Sequence, residues 1–207
     1  MNDLIAQKEN QMLEQRVQKI RNILNLRSLG IIPVLEKIYD QGNIHAVVRT
    51  TENLGLQELH IIQSNKVKKS PRITKGCEKW MDIYKHENTK ECIQKLRSKG
   101  YLIVSTALNS KSIPLCDFLN EVALRKIAVI FGNEHAGVEQ ETMDLSDRIL
   151  QIPSYGFSQS FNISVAAGII LHQCNHTQRQ HPDFFKNFSF SANEKSFNEK
   201  LLQWYGI

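Results

Sequence analysis

The sequence predicts an α/β protein in which a parallel sheet is flanked by helices, with helical extensions at both ends, and two observations carry that prediction. Short apolar runs, IIPVLEKI, LQELHII, MDIYKH, YLIVSTAL, KIAVIF and RILQI, alternate with stretches of helical periodicity. KIAVIF is moreover apolar without interruption after its lysine, the pattern of a parallel strand covered on both faces.

Ahead of the sheet, Leu13, Val17, Ile20 and Leu24 recur at helical spacing, with Arg16, Lys19, Arg21 and Arg27 on or near the remaining faces. This predicts an amphipathic basic helix closed by Gly30, so that residues 1–29 form an extension that either docks an apolar stripe or contacts RNA. A first strand follows at IIPVLEKI, then a helix from Asn43 to Leu54 and a strand at LQELHII. The next segment, SNKVKKSPRITKGCEKW, carries Lys66, Lys68, Lys69, Arg72 and Lys75 without periodicity and reads as an exposed basic loop. The strand MDIYKH, a helix from Thr89 to Ser98 closed by Gly100, and the strand YLIVSTAL restore the alternation. After KIAVIF come a short helix near Val138 to Leu145, the strand RILQI and a long Ala-rich helix from Asn162 to His176, completing one domain over residues 30–180. Beyond it, residues 181–207 mix polar and aromatic side chains and predict one helix, Phe197 to Trp204.

A chain of 207 residues suits a single α/β domain with appendages. Its 26 Lys and Arg against 21 Asp and Glu leave a net charge of +5, which favours a polyanionic partner. The four cysteines, Cys77, Cys92, Cys116 and Cys174, form no CxxC pair, which argues against a disulfide framework or a zinc ribbon. His172 and His176 share a helical face beside Cys174, but no third ligand stands at a convincing spacing, so no metal is expected. No GxSxG elbow, GxGxxG turn or Walker loop is present. The amino terminus lacks the apolar core of a signal peptide, and no run approaches the ~18 apolar residues of a membrane span, so a soluble cytoplasmic protein is expected.

Three polar blocks stand where strands or loops hand over to helices, the usual place for chemistry in such folds. In NIHAVVR, Asn43 suits a helix cap, and Arg49 sits among apolar neighbours with Glu52 in reach for an ion pair. In GNEHAG, Gly132 and Gly137 flank Asn133 and Glu134 directly after the buried strand, where glycine permits close approach of backbone to a ligand. In IPSYGFSQSFNISVAA, polar groups including Ser160 and Asn162 precede an apolar helix; each could be a simple cap, and their density argues for more.

Taken in order, N-x5-R, FGNExxG and IP-x6-SFN-x-SVAA resemble the three motifs of the SpoU (TrmH) branch of the SPOUT methyltransferases, and RxxxI-x2-IL-x2-R from Arg16 to Arg27 extends the likeness. The resemblance runs from about residue 16 to at least residue 178. It implies a sheet whose carboxyl-terminal part is tied in a deep trefoil knot, S-adenosylmethionine as cofactor, and a homodimer with the site near the subunit interface. It implies a cofactor pocket lined by Thr106, Gly132, Ile152 and Phe161, largely through backbone groups, with Phe161 replacing the usual leucine. By the same likeness Arg49 is the catalytic residue, held by Asn43, while Glu134 and Ser160 orient cofactor and ribose and Asn162 supports the site or the dimer. His135 and Ala136 depart from the bulkier pair of close relatives. The implied reaction is 2′-O-methylation of a ribose in tRNA, the D-loop guanosine at position 18 being the expected target. Ribosomal RNA or another tRNA position is the alternative substrate, and a non-catalytic RNA-binding dimer is the alternative of another class. RNA contacts are expected from Arg16, Lys19, Arg27, Lys68, Lys69 and Arg72, through phosphates.

Overall fold

In the computed structural model, residues 1–63 and 76–206 are described. Seven parallel strands stand in the order β3-β2-β1-β6-β4-β7-β5. They are β1 (Ile31–Glu36), β2 (Glu58–Ile62), β3 (Asp82–His86), β4 (Leu102–Thr106), β5 (Ile113–Pro114), β6 (Ile127–Phe131) and β7 (Arg148–Gln151). The central pair, β1 and β6, is buried at every position. Because side chains alternate across a strand, Ile127, Val129 and Phe131 join one core and Ala128 and Ile130 the other.

The helices before, between and after the strands are α1 (Asn2–Glu9), α2 (Glu14–Asn25), α3 (Gln41–Asn53), α4 (Thr89–Ser98), α5 (Leu115–Val122), α6 (Gln140–Asp144), α7 (Ile163–Gln180), α8 (Phe184–Phe188) and α9 (Glu194–Tyr205). α3 buries Ile44, Val47, Val48 and Thr51, a single stripe at helical spacing, and packs on α7. α7 leaves the β7 side of the sheet and returns to pack on α3, α5 and β1. Two carboxamides on its buried side close loops: Gln178 donates to the Arg125 carbonyl at 2.7 Å and Asn175 to the Leu54 carbonyl at 3.0 Å. Glu36, fully buried at the end of β1, accepts from Thr89 Oγ1 at 3.0 Å, from the Glu139 amide at 2.9 Å and from Thr142 Oγ1, tying α4 and α6 to the central strand.

Several expectations are corrected. The segment between the fourth apolar run and KIAVIF contains β5 and α5, whose Leu115, Phe118 and Val122 form the buried stripe that the sequence reading passed over. The helix expected to start at Asn43 starts at Gln41, because Asp40 Oδ1 caps it by accepting from the Gly42 amide at 2.7 Å. The tail holds α8 as well as α9, and α9 begins at Glu194 because Asn193 Oδ1 caps it, accepting from the Ser196 amide at 3.0 Å. The two extensions are one structure: Ile5, Ile20 and Leu24 pack with Phe190, Leu201 and Tyr205 in a third core.

Arg27 is the clearest correction. It is only 1 % exposed, with its guanidinium 2.5 Å from Glu52 Oε1, donating to the Leu56 carbonyl at 3.2 Å and lying 5.5 Å from the Trp204 ring centre. Burial lowers its pKa from the ordinary arginine value and the Glu52 carboxylate acts against that. Arg27 therefore fastens the extensions to α3 and is closed to RNA, and Glu52 is not the partner of Arg49.

Candidate active site

The carboxyl ends of β4, β6 and β7 and the loop before α7 enclose a cavity of about 560 Å³, within the size range of small-molecule sites. Its floor is apolar, with Phe131, Leu150, Ile163 and Ile170 all buried. Thr106, Gly132, Ile152 and Phe161, from four separate segments, line it, as do Glu134, Ser160 and Asn162. Thr106 spends its hydroxyl on the Ile130 carbonyl at 3.0 Å, so its side chain braces β4 against β6 and leaves the backbone to face a ligand.

The loop after β6 owes its shape to Asn133, to which the sequence reading gave no role of its own. Its backbone exchanges two hydrogen bonds with Gly137, at 3.1 and 3.0 Å, while its buried side-chain Oδ1 accepts from the His135 and Ala136 amides at 3.0 and 2.8 Å. Gly132 is required here for a reason different from the one expected. A Cβ at that position would lie 1.9 Å from the Gly137 carbonyl carbon, so the close approach is of the chain to itself. Since His135 and Ala136 enter this turn through their amides, their departure from the family pattern leaves its shape intact.

Side chains from the three blocks meet at the rim. Asn162 caps α7, its Oδ1 accepting from the Ser164 amide at 2.9 Å and hydroxyl at 2.6 Å. That turns its Nδ2 outward to donate to Asn43 Oδ1 at 3.1 Å, and Asn43 Nδ2 in turn donates to Glu134 Oε1 at 2.7 Å. The helix amide fixes one end of this relay and the acceptor-only carboxylate fixes the other, so both carboxamides have one permitted orientation. Partial burial works to raise the Glu134 pKa, but the bond from Asn43 and backbone groups of Glu134, Tyr39 and Asp40 outweigh it and hold the carboxyl below its ordinary value. An ionised carboxylate beside an apolar pocket favours a cationic ligand group.

Arg49 lies elsewhere. It is exposed on α3, about 9 Å along the axis and about 120° around from Asn43, in a groove shared with His45, Ala46, Thr50 and Asn53. Its guanidinium has no ion-pair partner among the described residues, and Asn43 bonds to Glu134 and Asn162, not to it. Arg16 and Lys19 are exposed on α2, whereas Lys68, Lys69 and Arg72 lie outside the described residues. His172 and His176 stack on the exposed side of α7, with ring centres 6.1 Å apart, while Cys174 is buried beneath them, so these three do not converge.

A parallel sheet with a cavity at its carboxyl edge and a polar rim drawn from three loops is the layout in which α/β proteins bind and act on small molecules. Residues 30–172 match the SpoU rRNA Methylase family, and the chain belongs to it. It is 40% identical to the tRNA (guanosine(18)-2′-O)-methyltransferase of Borreliella burgdorferi, over 93% of this chain and 85% of that protein. It is 30% identical to the enzyme of the same name from Aquifex aeolicus, over 93% and 90%. The crystal structure of the A. aeolicus TrmH/SpoU tRNA modifying enzyme superposes with a TM-score of 0.80, at 30% identity, covering 93% of this chain and 96% of that one.

Proposed function

We propose that this protein transfers a methyl group from S-adenosylmethionine to the ribose 2′-oxygen of the D-loop guanosine at position 18 of tRNA. The observation that carries the proposal is the relay from Asn162 through Asn43 to Glu134 at the mouth of the cavity. It joins one residue from each of the three motifs, and two relatives similar over nearly the whole chain bear the name of this activity.

The cavity fits the cofactor. Its apolar floor suits an adenine ring, its rim carries an ionised carboxylate suited to a cation, and backbone at Thr106, Gly132, Ile152 and Phe161 would hold the polar edges. When bound, S-adenosylmethionine supplies a methyl already made electrophilic by the sulfonium. What remains for the protein is to set the 2′-hydroxyl in line and to assist loss of its proton. Glu134 and Ser160 orient the ribose and cofactor. A guanidinium stays charged at working pH, so Arg49 acts by gripping a substrate phosphate and stabilising the developing alkoxide.

Arg49 is remote from the cavity rim of its own chain, which supports a homodimer in which a second copy completes each site. Exposed Phe157, Phe161 and Val165, beside the cavity, supply apolar surface for that interface. The path of the chain from β7 through the cavity loop and back across the sheet in α7 supports the trefoil knot. Arg16 and Lys19 on the amino-terminal extension, with Lys68, Lys69 and Arg72 from the domain of residues 30–180, form the RNA footprint. No helix among the described residues is long and apolar enough to cross a membrane, which suits work on tRNA in the cytoplasm.

The test is incubation of the protein with unmodified tRNA transcripts and labelled S-adenosylmethionine, followed by nuclease digestion and mass spectrometry. Methyl on the ribose of the D-loop guanosine is expected. Methyl at another nucleotide, or on ribosomal RNA alone, would keep the chemistry and replace the substrate, and no transfer to any RNA despite cofactor binding would overturn the proposal.

A further inference from the structure

On the far side of the sheet, three side chains that play no part in the cavity converge. His60 from the middle of β2, His86 from the end of β3 and Cys92 from α4 are 0 %, 4 % and 0 % exposed, and their nearest donor atoms all lie within 4.8 Å of one another. His86 Nε2 is 2.9 Å from His60 Nδ1, and Cys92 Sγ is 3.8 Å from the same nitrogen. Tetrahedral zinc, with bonds of about 2.0–2.1 Å to nitrogen and about 2.3 Å to sulfur, places its ligand atoms roughly 3.3–3.6 Å apart. We propose that His60, His86 and Cys92 form a binding site for a borderline-soft transition-metal ion of the zinc class.

The outer nitrogens give the argument its force. His60 Nε2 faces Glu58 Oε2 at 3.5 Å, and Glu58 is held by Lys99 at 3.2 Å. His86 Nδ1 faces Glu91 Oε1 at 3.9 Å. Each imidazole thus turns one nitrogen toward a carboxylate and the other inward toward its neighbour and the thiol, the arrangement in which carboxylates orient metal-bound histidines. Without an ion, two neutral rings cannot satisfy it. If both protons sit outside, two lone pairs oppose each other at 2.9 Å. If His86 carries its proton inside, its Nδ1 is left buried without a hydrogen-bond partner, as it is here, and if His60 does, the lone pair of its Nε2 faces the Glu58 carboxylate at 3.5 Å. An ion between the inner nitrogens and the sulfur resolves the conflict. Its binding sends the thiol proton to solvent and leaves the His86 proton on Nδ1, the nitrogen that faces the Glu91 carboxylate at 3.9 Å. Entry is from the Glu91 side, where that carboxylate is 61 % exposed.

The site is tested on the full chain, reduced and stripped with a chelator, then titrated with Co2+ as a spectroscopic substitute. A thiolate-to-cobalt charge-transfer band saturating near one equivalent is expected, abolished by Cys92→Ala and retained in Cys116→Ala. Zn2+ is expected to bleach the band and to raise the Tm by about 5 °C at saturation. The exposed His172 and His176 pair offers only imidazoles and cannot produce the band. Should Cys92→Ala fail to fold, His86→Gln keeps the thiol and is expected to weaken Co2+ binding at least tenfold. No band through a tenfold excess of Co2+, a band that survives Cys92→Ala, or unchanged affinity in His86→Gln would each overturn the proposal.

Discussion

The two polar regions that flank α3 are built on opposite principles. At its amino-terminal end Asn43 is buried and locked between Asn162 and Glu134, with every side-chain orientation dictated by a helix amide at one end and a carboxylate at the other. About two turns on, Arg49 is exposed in an open groove with no ion-pair partner among the described residues. The first region is organised without any ligand; the second holds a cation that no anion among the described residues pairs. In the proposed reaction, preorganisation by the fold would serve the cofactor end and an exposed cation the RNA end.

The sharpest way to break that contrast is Arg49→Ala. Loss of a guanidinium that acts on the developing alkoxide is expected to lower single-turnover methyl transfer by about 10²–10³-fold. Because the side chain is exposed and away from the cavity, cofactor affinity by calorimetry and the Tm should stay close to wild type. Retained turnover, or a parallel loss of cofactor affinity, would mean that Arg49 does not hold the role given it here.

Asn43→Asp attacks the other region. It sets a second carboxylate 2.7 Å from Glu134 in place of a donor, and methyl transfer should fall by about 10–100-fold, the cost of about 1–3 kcal/mol for an unmatched polar pair. The same change should raise the Glu134 pKa. In the wild type that group lies below the ordinary glutamate value, so its contribution to stability is present above that ordinary value and is lost as pH falls through the folded one. In Asn43→Asp the loss should begin at higher pH, readable by carboxyl NMR titration. An unmoved Glu134 titration would remove Asn43 from the relay.

These predictions also mark what was legible in the sequence. Six of the seven strands were, because strands of a covered parallel sheet leave short apolar runs, whereas the two-residue β5 was not. Partners of polar side chains were not. Asn43 looked like a cap and is a buried link, since Asp40 three residues earlier had already taken the cap. Arg27 looked like one more exposed cation on a basic helix. Only the tertiary packing, with Glu52 and Trp204 brought in from 25 and 177 residues away, closes it off. α5 was missed although Leu115, Phe118 and Val122 carry a helical stripe, because Pro114 and the short preceding strand obscured its start.

Asn162→Ala separates two functions of one residue. As a cap it should cost about 1 kcal/mol, a Tm decrease of about 2–4 °C for a chain of this size. Asn162→Asp retains a cap oxygen but presents Asn43 with an acceptor where a donor stood. It should recover most of the Tm while leaving methyl transfer depressed. If Asn162→Asp recovers activity together with stability, Asn162 acts only as a cap.

The smallest effect belongs to the extensions. Arg16→Ala and Lys19→Ala remove exposed charges from α2. Each should reduce the slope of log affinity for tRNA against log salt by about 0.9, the release of one counterion, without changing the Tm. Arg27→Ala provides the contrast within the same segment. Its removal leaves Glu52 beside an emptied buried site and should lower the Tm strongly, by about 3 kcal/mol of stability, while leaving the salt slope of the folded fraction unchanged. A slope that responds to Arg27 and ignores Arg16 and Lys19 would place the RNA on a different face of the extensions, and would require the third core to open when RNA binds.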